Sequence, residues 1–424
     1  MKFLEPSVII VDDVKAEIQG ILGYYQSIGI GCKWFNASYY DGVDMPEKVF
    51  SDINLLFLDL FYSERFDAEQ CANWVQSIIP EKSFYILILW TKDSAKADEV
   101  ITELKKNDRL PFTFLVKSKT EYAVEGIEKY DFTRLFAEIN TQIDTLPALD
   151  EIFIWKKSIK HSTNNVLGNL SKNSQPQEFN NKLRNIIISH GGNCVKKMTD
   201  SNRKRSILFD ALDSVLISNT KNNVTDQISL INSSGLYDLT TFASPEVDKE
   251  LNSWFHFKLE KQISQDLVYP GIISEYKENN WKTMYSIQDD EIVNEYISLQ
   301  VGDNITIKNI VLLLSRPCDI AQNKYGKNLK LLSGLIIINP IRKKNKFKGK
   351  DTKPDSIKIY DHLFLNNVEK DVTFIFDFRY NFSVPEKIFQ TEFTNIKIFN
   401  KELLSEMQVE YSSYSSRLGI TQVI

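Results

Sequence analysis

The chain has 424 residues, of which 42% are hydrophobic and 25% charged. That composition excludes collagen-like, mucin-like and wholly disordered chains. The length exceeds what one compact core can serve, so two or three domains are expected. The net charge of −5 is unevenly spread: residues 1–146 carry 15 basic and 24 acidic side chains, whereas the rest carry 36 and 32.

Four cysteines (Cys32, Cys71, Cys194, Cys318) form no CxxC pair. A disulfide framework or zinc ribbon is not expected, and a reducing cytoplasm fits. Four histidines (His161, His190, His256, His362) contain no HExxH, which argues against a zinc hydrolase. No run approaches the roughly 18 apolar residues of a membrane helix. The start, MKFLEPSVIIVDD, lacks a signal-peptide pattern. A cytoplasmic protein without membrane contact is the expectation.

In chain order, Ser7–Val11 is an apolar strand that ends in two aspartates. Val14–Ile28 has helical spacing through Ile18, Leu22 and Tyr25. Lys33–Ala37 reads as a short strand and Asp44–Ser51 as a short helix. Ile53–Phe61 is apolar on both faces, as a central parallel strand must be. Asp67–Ile79 reads as a helix, Phe84–Trp90 as a strand, Ser94–Asn107 as a helix. Pro111–Lys117 is the last strand and Phe132–Leu146 the closing helix. Five strands alternating with five helices predict an α/β doubly wound parallel sheet ending at Pro147.

In such a sheet, functional groups collect at the carboxyl ends of the strands. Those ends place Asp12, Asp13, Asp59, Thr91 and Lys117 around one crevice. Three close carboxylates repel one another unless a cation joins them. Hard oxygen ligands in that number suit Mg²⁺. A lysine and a hydroxyl add donors for phosphoryl oxygens. A carboxylate nucleophile beside Mg²⁺ can accept a phosphoryl group.

The motifs VIIVDD, LLFLDLF, ILILWT and FLVK, in this order over residues 6–146, resemble the receiver domain of two-component response regulators. The resemblance implies a flavodoxin-like fold and phosphorelay signalling. It makes Asp12 and Asp13 the acidic metal pair and Asp59 the phosphoacceptor and third metal ligand. Phe61 would supply a backbone carbonyl to the metal. Thr91 becomes the switch hydroxyl, Lys117 the conserved lysine and Phe114 the rotating aromatic switch. Ser118 stands where the family has proline, Trp90 where it has a smaller residue, and FYSERFD lacks the frequent Met-Pro. The alternative is a receiver-like fold that binds a partner without phosphorylation, its aspartates capping helices.

Residues 147–225 read as a helical connector, broken by Ser171–Gln177 and Gly191–Gly192. His161 with Asn165 and Leu167 faintly resembles a histidine-kinase H-box. Ser162 stands where that motif has an acidic residue, so an exposed linker histidine is preferred. Residues 226–424 read as an α+β output region. Pro245–Gln262 is helical there, and strands are expected at Asn304–Lys308, Val311–Ser315, Leu331–Ile338, Ile357–Tyr360 and Val372–Phe378. Gly302–Asp303 resembles the turn entering a strand of a small β-barrel. Asn400–Tyr414 closes the region as a helix.

Arg316, Cys318 and Asp319 form the candidate output site, against a plain turn in which Asp319 caps a helix. Arg342–Lys353 holds seven basic residues and one acidic residue, suited to nucleic-acid phosphates or simply to solvent. The expected partners are a histidine kinase or phosphotransfer protein, and a second copy of the chain as a homodimer. The output is expected to serve bacterial stress or anti-phage defence. The competing readings are a regulated nuclease or other hydrolase, and a scaffold without chemistry.

Overall fold

The computed structural model describes residues 5–40, 44–124, 130–172, 174–223, 236, 239–240, 247–259, 263–278, 280–296, 305–315, 328–338 and 355–416. The chain packs as two compact units. Met1–Ile154 is the body of the first, and Trp155–Ile231 with Tyr237–Ile424 forms the second.

The first unit is a five-stranded sheet of β1 (Val8–Asp12), β2 (Cys32–Asn36), β3 (Leu55–Leu58), β6 (Ile86–Thr91) and β7 (Thr113–Ser118). Their order is β2-β1-β3-β6-β7 and every pairing is parallel. A small antiparallel hairpin, β4 (Phe61–Tyr62) and β5 (Arg65–Phe66), follows β3. Alternate residues of each central strand serve opposite faces. Ile9, Val11, Leu56, Leu58, Leu87 and Leu89 pack with Trp74, Val75 and Ile78 of α2 (Ala68–Ile78) and with Val100 and Leu104 of α3 (Ala97–Lys106). Val8, Ile10, Phe57, Ile88 and Trp90 face the other way. They meet Ile18, Ile21 and Tyr25 of α1 (Lys15–Ser27) and Leu135, Phe136 and Ile139 of α5 (Phe132–Asp144). Each such burial is worth about 1.5–3 kcal/mol. The expected α/β doubly wound sheet is therefore present. Its strand order reverses between β1 and β3, which opens a crevice at their carboxyl ends.

Three local expectations differ. Residues 44–50 form no helix. Met45 and Phe50 anchor this loop to the core, and the Phe50 N–H donates to the Ile78 carbonyl at 2.8 Å instead of to its own turn. A single turn, α4 (Lys119–Tyr122), follows β7 directly. Pro147 opens a helix, α6 (Pro147–Ser171), instead of ending the unit. Its fixed φ and missing N–H suit a first helical position. Leu149 and Phe153 on α6 then complete the first core.

The second unit contains α7 (Pro176–Gly191), α8 (Ser201–Asn223) and a six-stranded antiparallel sheet. That sheet comprises β8 (Ile272–Tyr276), β9 (Thr306–Leu313), β10 (Asn328–Ile338), β11 (Ile357–Leu363), β12 (Val372–Pro385) and β13 (Phe393–Ile398). Its order is β11-β12-β10-β9-β8-β13. Among the described residues it is an open sheet, with β11 and β13 as edges, and not the expected small barrel. Val311–Leu313 and Thr306–Lys308 belong to one strand. Asp377, wholly buried on β12, accepts from the Arg379 guanidinium (Nη2–Oδ2 2.6 Å) and from the Tyr296 hydroxyl at 2.8 Å. The register of β12 against β10 slips here, between Leu332 and Gly334. No helix among the described residues is long and apolar enough to cross a membrane.

Two glycines of α1 test the packing. A Cβ on Gly20 would stand 2.0 Å from the Phe132 ring, whereas one on Gly23 would meet nothing within 4 Å. Alanine in a helix gains about 1 kcal/mol over glycine. Overpacking costs about 1–3 kcal/mol. Denaturant melts should therefore show Gly23→Ala more stable than wild type by up to ~1 kcal/mol and Gly20→Ala less stable. Equal shifts would contradict the α1–α5 contact.

Candidate functional site

β1 and β3 deliver Asp12 and Asp59 side by side into the crevice. Both are almost fully buried. Asp12 Oδ1 accepts the Val14 N–H at 2.7 Å, just before α1 begins. Asp59 Oδ1 accepts the N–H groups of Leu60 at 2.7 Å and Phe61 at 3.3 Å, which turns the chain out of β3. Each keeps its second oxygen for a shared cation. That cation is Lys119, the first residue of α4. Its Nζ lies 2.8 Å from Asp12 Oδ2, 2.7 Å from Asp59 Oδ2 and 2.6 Å from Glu17 Oε2. All three ammonium protons are thus committed to carboxylates. Lys92 adds a second, exposed cation 3.3 Å from Glu17 Oε1.

The lysine at the carboxylates is therefore Lys119 and not Lys117. Lys117, two residues earlier and still on β7, turns to Glu138 of α5 at 3.2 Å. Glu138 also accepts from Tyr122 (2.5 Å) and Arg134 (2.9 Å). Hydrogen bonds from Tyr122 and Lys117 hold the Glu138 carboxyl down at about 2. Asp13 also stands apart from the cluster. Its Oδ2 accepts the Ser63 N–H at 2.5 Å and ties the hairpin after β3 to the end of β1. Thr91, fully buried, ends β6, and its Oγ1 accepts the Asp93 N–H at 3.4 Å. Phe61 packs on Phe66 across the hairpin, with ring centroids 5.7 Å apart. Phe114 is part-exposed on the edge strand β7, opposite Leu87.

Sequence reasoning missed Glu17 and Lys119. Glu17 was legible only as an acidic residue in the first turn of a helix. The string Lys117-Ser-Lys119 offers two lysines, and only the end of β7 at Ser118 chooses between them.

Among the described residues, Asp12, Glu17 and Asp59 are the acidic group whose oxygens converge, all within 4.8 Å of one another. Three carboxylates against Lys119 and the exposed Lys92 leave an excess of one negative charge. Burial opposes that excess. It lifts Asp12 to about 7, against the pull of Lys119 and with help from Asp59. Burial lifts Asp59 as well. Glu17 is less enclosed, and there desolvation is outweighed by Lys119 and Lys92 together, which lower the pKa. For Lys119 desolvation is likewise overcome, by the three carboxylates, and its pKa rises. The hard oxygen donors and the charge deficit both fit a divalent cation such as Mg²⁺.

His161 is exposed on α6, with its Nδ1 3.4 Å from the Asn165 amide. Arg316, Cys318 and Asp319 lie outside the described residues, as do Gly302–Asp303 and the basic segment Arg342–Lys353. No protein-family model and no curated protein sequence matches the chain.

Two outcomes follow from the charge balance. Lys119→Met strands two buried carboxylates, Asp12 and Asp59, and removing one partner of a buried pair costs about 3–5 kcal/mol. Melts at pH 8 should show that loss, and Mg²⁺ should restore part of it. The second outcome concerns Asp12. A carboxyl raised from 3.8 to about 7 on folding binds more protons in the native state. Its contribution is fully present below the unfolded value and is lost as pH rises through about 7. In metal-free buffer, Asp12→Asn should flatten that decline and exceed wild-type stability at pH 8. Parallel stability–pH curves for the two proteins would refute the assignment.

Proposed function

We propose that the first unit is a phosphoacceptor module of the response-regulator kind and that it controls the second unit. The observation that carries this reading is the convergence of Asp12, Glu17, Asp59 and Lys119 at the β1/β3 switch point. A phosphohistidine on a partner kinase or phosphotransfer protein is the donor. An Asp59 carboxylate oxygen attacks phosphorus, the P–N bond breaks, and the imidazole leaves with the electron pair.

Asp59 Oδ1 is fixed by two backbone N–H groups, so Oδ2, on Lys119, is the oxygen with freedom to react. Lys119 is placed to follow the charge from Oδ2 onto the phosphoryl oxygens. Mg²⁺ held by Asp12, Glu17 and Asp59 would neutralise the remaining phosphoryl charge. Asp13 supports the site through the hairpin backbone. Thr91 supplies a hydroxyl at the same sheet edge, which gives the phosphorylated state a contact that the free state lacks.

One observation favours a second reading. The committed ammonium of Lys119 also suits a receiver-like scaffold that is never phosphorylated.

Intact-mass measurement after incubation with phosphoramidate and Mg²⁺ separates the two. The expected result is a gain of one phosphoryl group, removed by hydroxylamine and absent in Asp59→Asn. Label that persists in Asp59→Asn overturns the site. An unlabelled wild type leaves the scaffold.

A further inference from the structure

The second unit contains a cavity of about 790 Å³ at the edge strand β13, beside β8 and β9. Its charged lining is three lysines and two glutamates. Lys308 takes both glutamates, with Nζ 3.0 Å from Glu369 and 3.5 Å from Glu275. That leaves Lys258 and Lys397. Among the described residues neither forms a salt bridge. Lys258 lies over the Tyr269 ring at 4.0 Å, and Lys397 lies 5.7 Å from the centre of the Phe257 ring.

A lysine on an edge strand usually points into solvent and blocks further strand pairing. Lys397 does not fit that role. The register of β13 against β8 slips between Asn395 and Lys397, and such bulges re-aim side chains. Lys397 is half-buried, and desolvation lowers its pKa with no carboxylate opposing the shift. An ammonium held in a cavity without a counter-ion is costly unless a ligand supplies one.

We propose that this cavity binds a small phosphorylated metabolite, its phosphate met by Lys397 and Lys258. The lining is net positive by one charge. Although the Asp210 carboxylate attracts Lys258 from a distance, Lys258 and Lys397 both stand outside the Lys308 cluster and offer charge-assisted donors to a phosphate. The volume exceeds that of inorganic phosphate and lies within the usual range for small-molecule sites. Ile263, Leu365 and Ile396 also line the cavity and offer apolar surface to the rest of the ligand. The site is independent of the phosphoacceptor reading, since all of its lining lies in the second unit.

Pyridoxal 5′-phosphate is a suitable probe of the full chain, because it joins a phosphate to an aldehyde. The lysine Nζ lone pair adds to the aldehyde carbon, water leaves, and borohydride reduces the imine to a stable secondary amine. Peptide mapping then ranks the lysines. Lys397 or Lys258 should react roughly tenfold faster than the exposed Lys387, as a desolvated amine beside a phosphate site should. Inorganic phosphate should slow that reaction, whereas sodium chloride at equal ionic strength should not.

Lys397→Met should abolish phosphate protection at Lys258, and Lys397→Arg should retain it. Circular dichroism melts confirm that both variants fold. Rates at Lys397 and Lys258 no faster than at Lys387 overturn the proposal. So does protection by chloride equal to that by phosphate, or protection at Lys258 that survives in a folded Lys397→Met.

Discussion

The first unit is organised around a charge imbalance that its own topology creates. A parallel sheet whose order reverses between β1 and β3 must bring two strand ends together. In this chain both ends carry aspartate, and α1 adds Glu17 in its first turn. Burying three carboxylates together is prohibitive without positive charge. Lys119 supplies one unit of it, and protonation of Asp12 relieves part of the remainder. The local structure around the crevice follows from this. The Asp12 carboxylate holds the Val14 N–H just before α1, and Asp59 turns the chain into the hairpin. Asp13 then pins that hairpin back through Ser63.

The second unit resolves its buried charges differently. Asp377 is matched within its own strand by Arg379, two residues on, with the Tyr296 hydroxyl completing the pairing. A fully buried acid with a two-pronged partner needs no further ion. Strand irregularity assists here too. The slip in β12 sits at this pair, as the slip in β13 sits at Lys397. Bulges therefore recur in this sheet where a charged side chain has to be turned.

Much of the first unit was legible because buried parallel strands are nearly continuous apolar runs. SVIIV, NLLFLDLF and FYILILW cannot be solvated on either face, and aspartates directly after such runs must lie at a sheet edge. Asp12, Asp59 and Thr91 were accessible by that logic. Lys119 was not, because its position depends on where β7 stops and α4 begins, and element boundaries are set by tertiary contacts rather than by pattern. The short helix expected at Asp44–Ser51 failed for a related reason. Its apolar residues are claimed by the core while the backbone bonds to α2. Pro147 misled because proline marks a helix start as readily as a domain end. In the C-terminal half, β8 and β13 escaped notice. IISEY and FTNIKI are short and interrupt their apolar residues with polar ones, and only FTNIKI lies at the edge of the sheet.

The placement of Lys119 links the carboxylate cluster to a second polar cluster at the same sheet edge. Lys119 is one end of a four-residue helix whose other end is Tyr122. The Tyr122 hydroxyl bonds Glu138 of α5, and Glu138 also holds Lys117 of β7 and Arg134. The Tyr122 ring packs on Trp90, which neighbours Thr91 at the end of β6. This one helical turn therefore carries the ammonium that serves the carboxylate cluster at one end and the hydroxyl that serves Glu138 at the other, so the two polar clusters of this sheet edge are held by four consecutive residues.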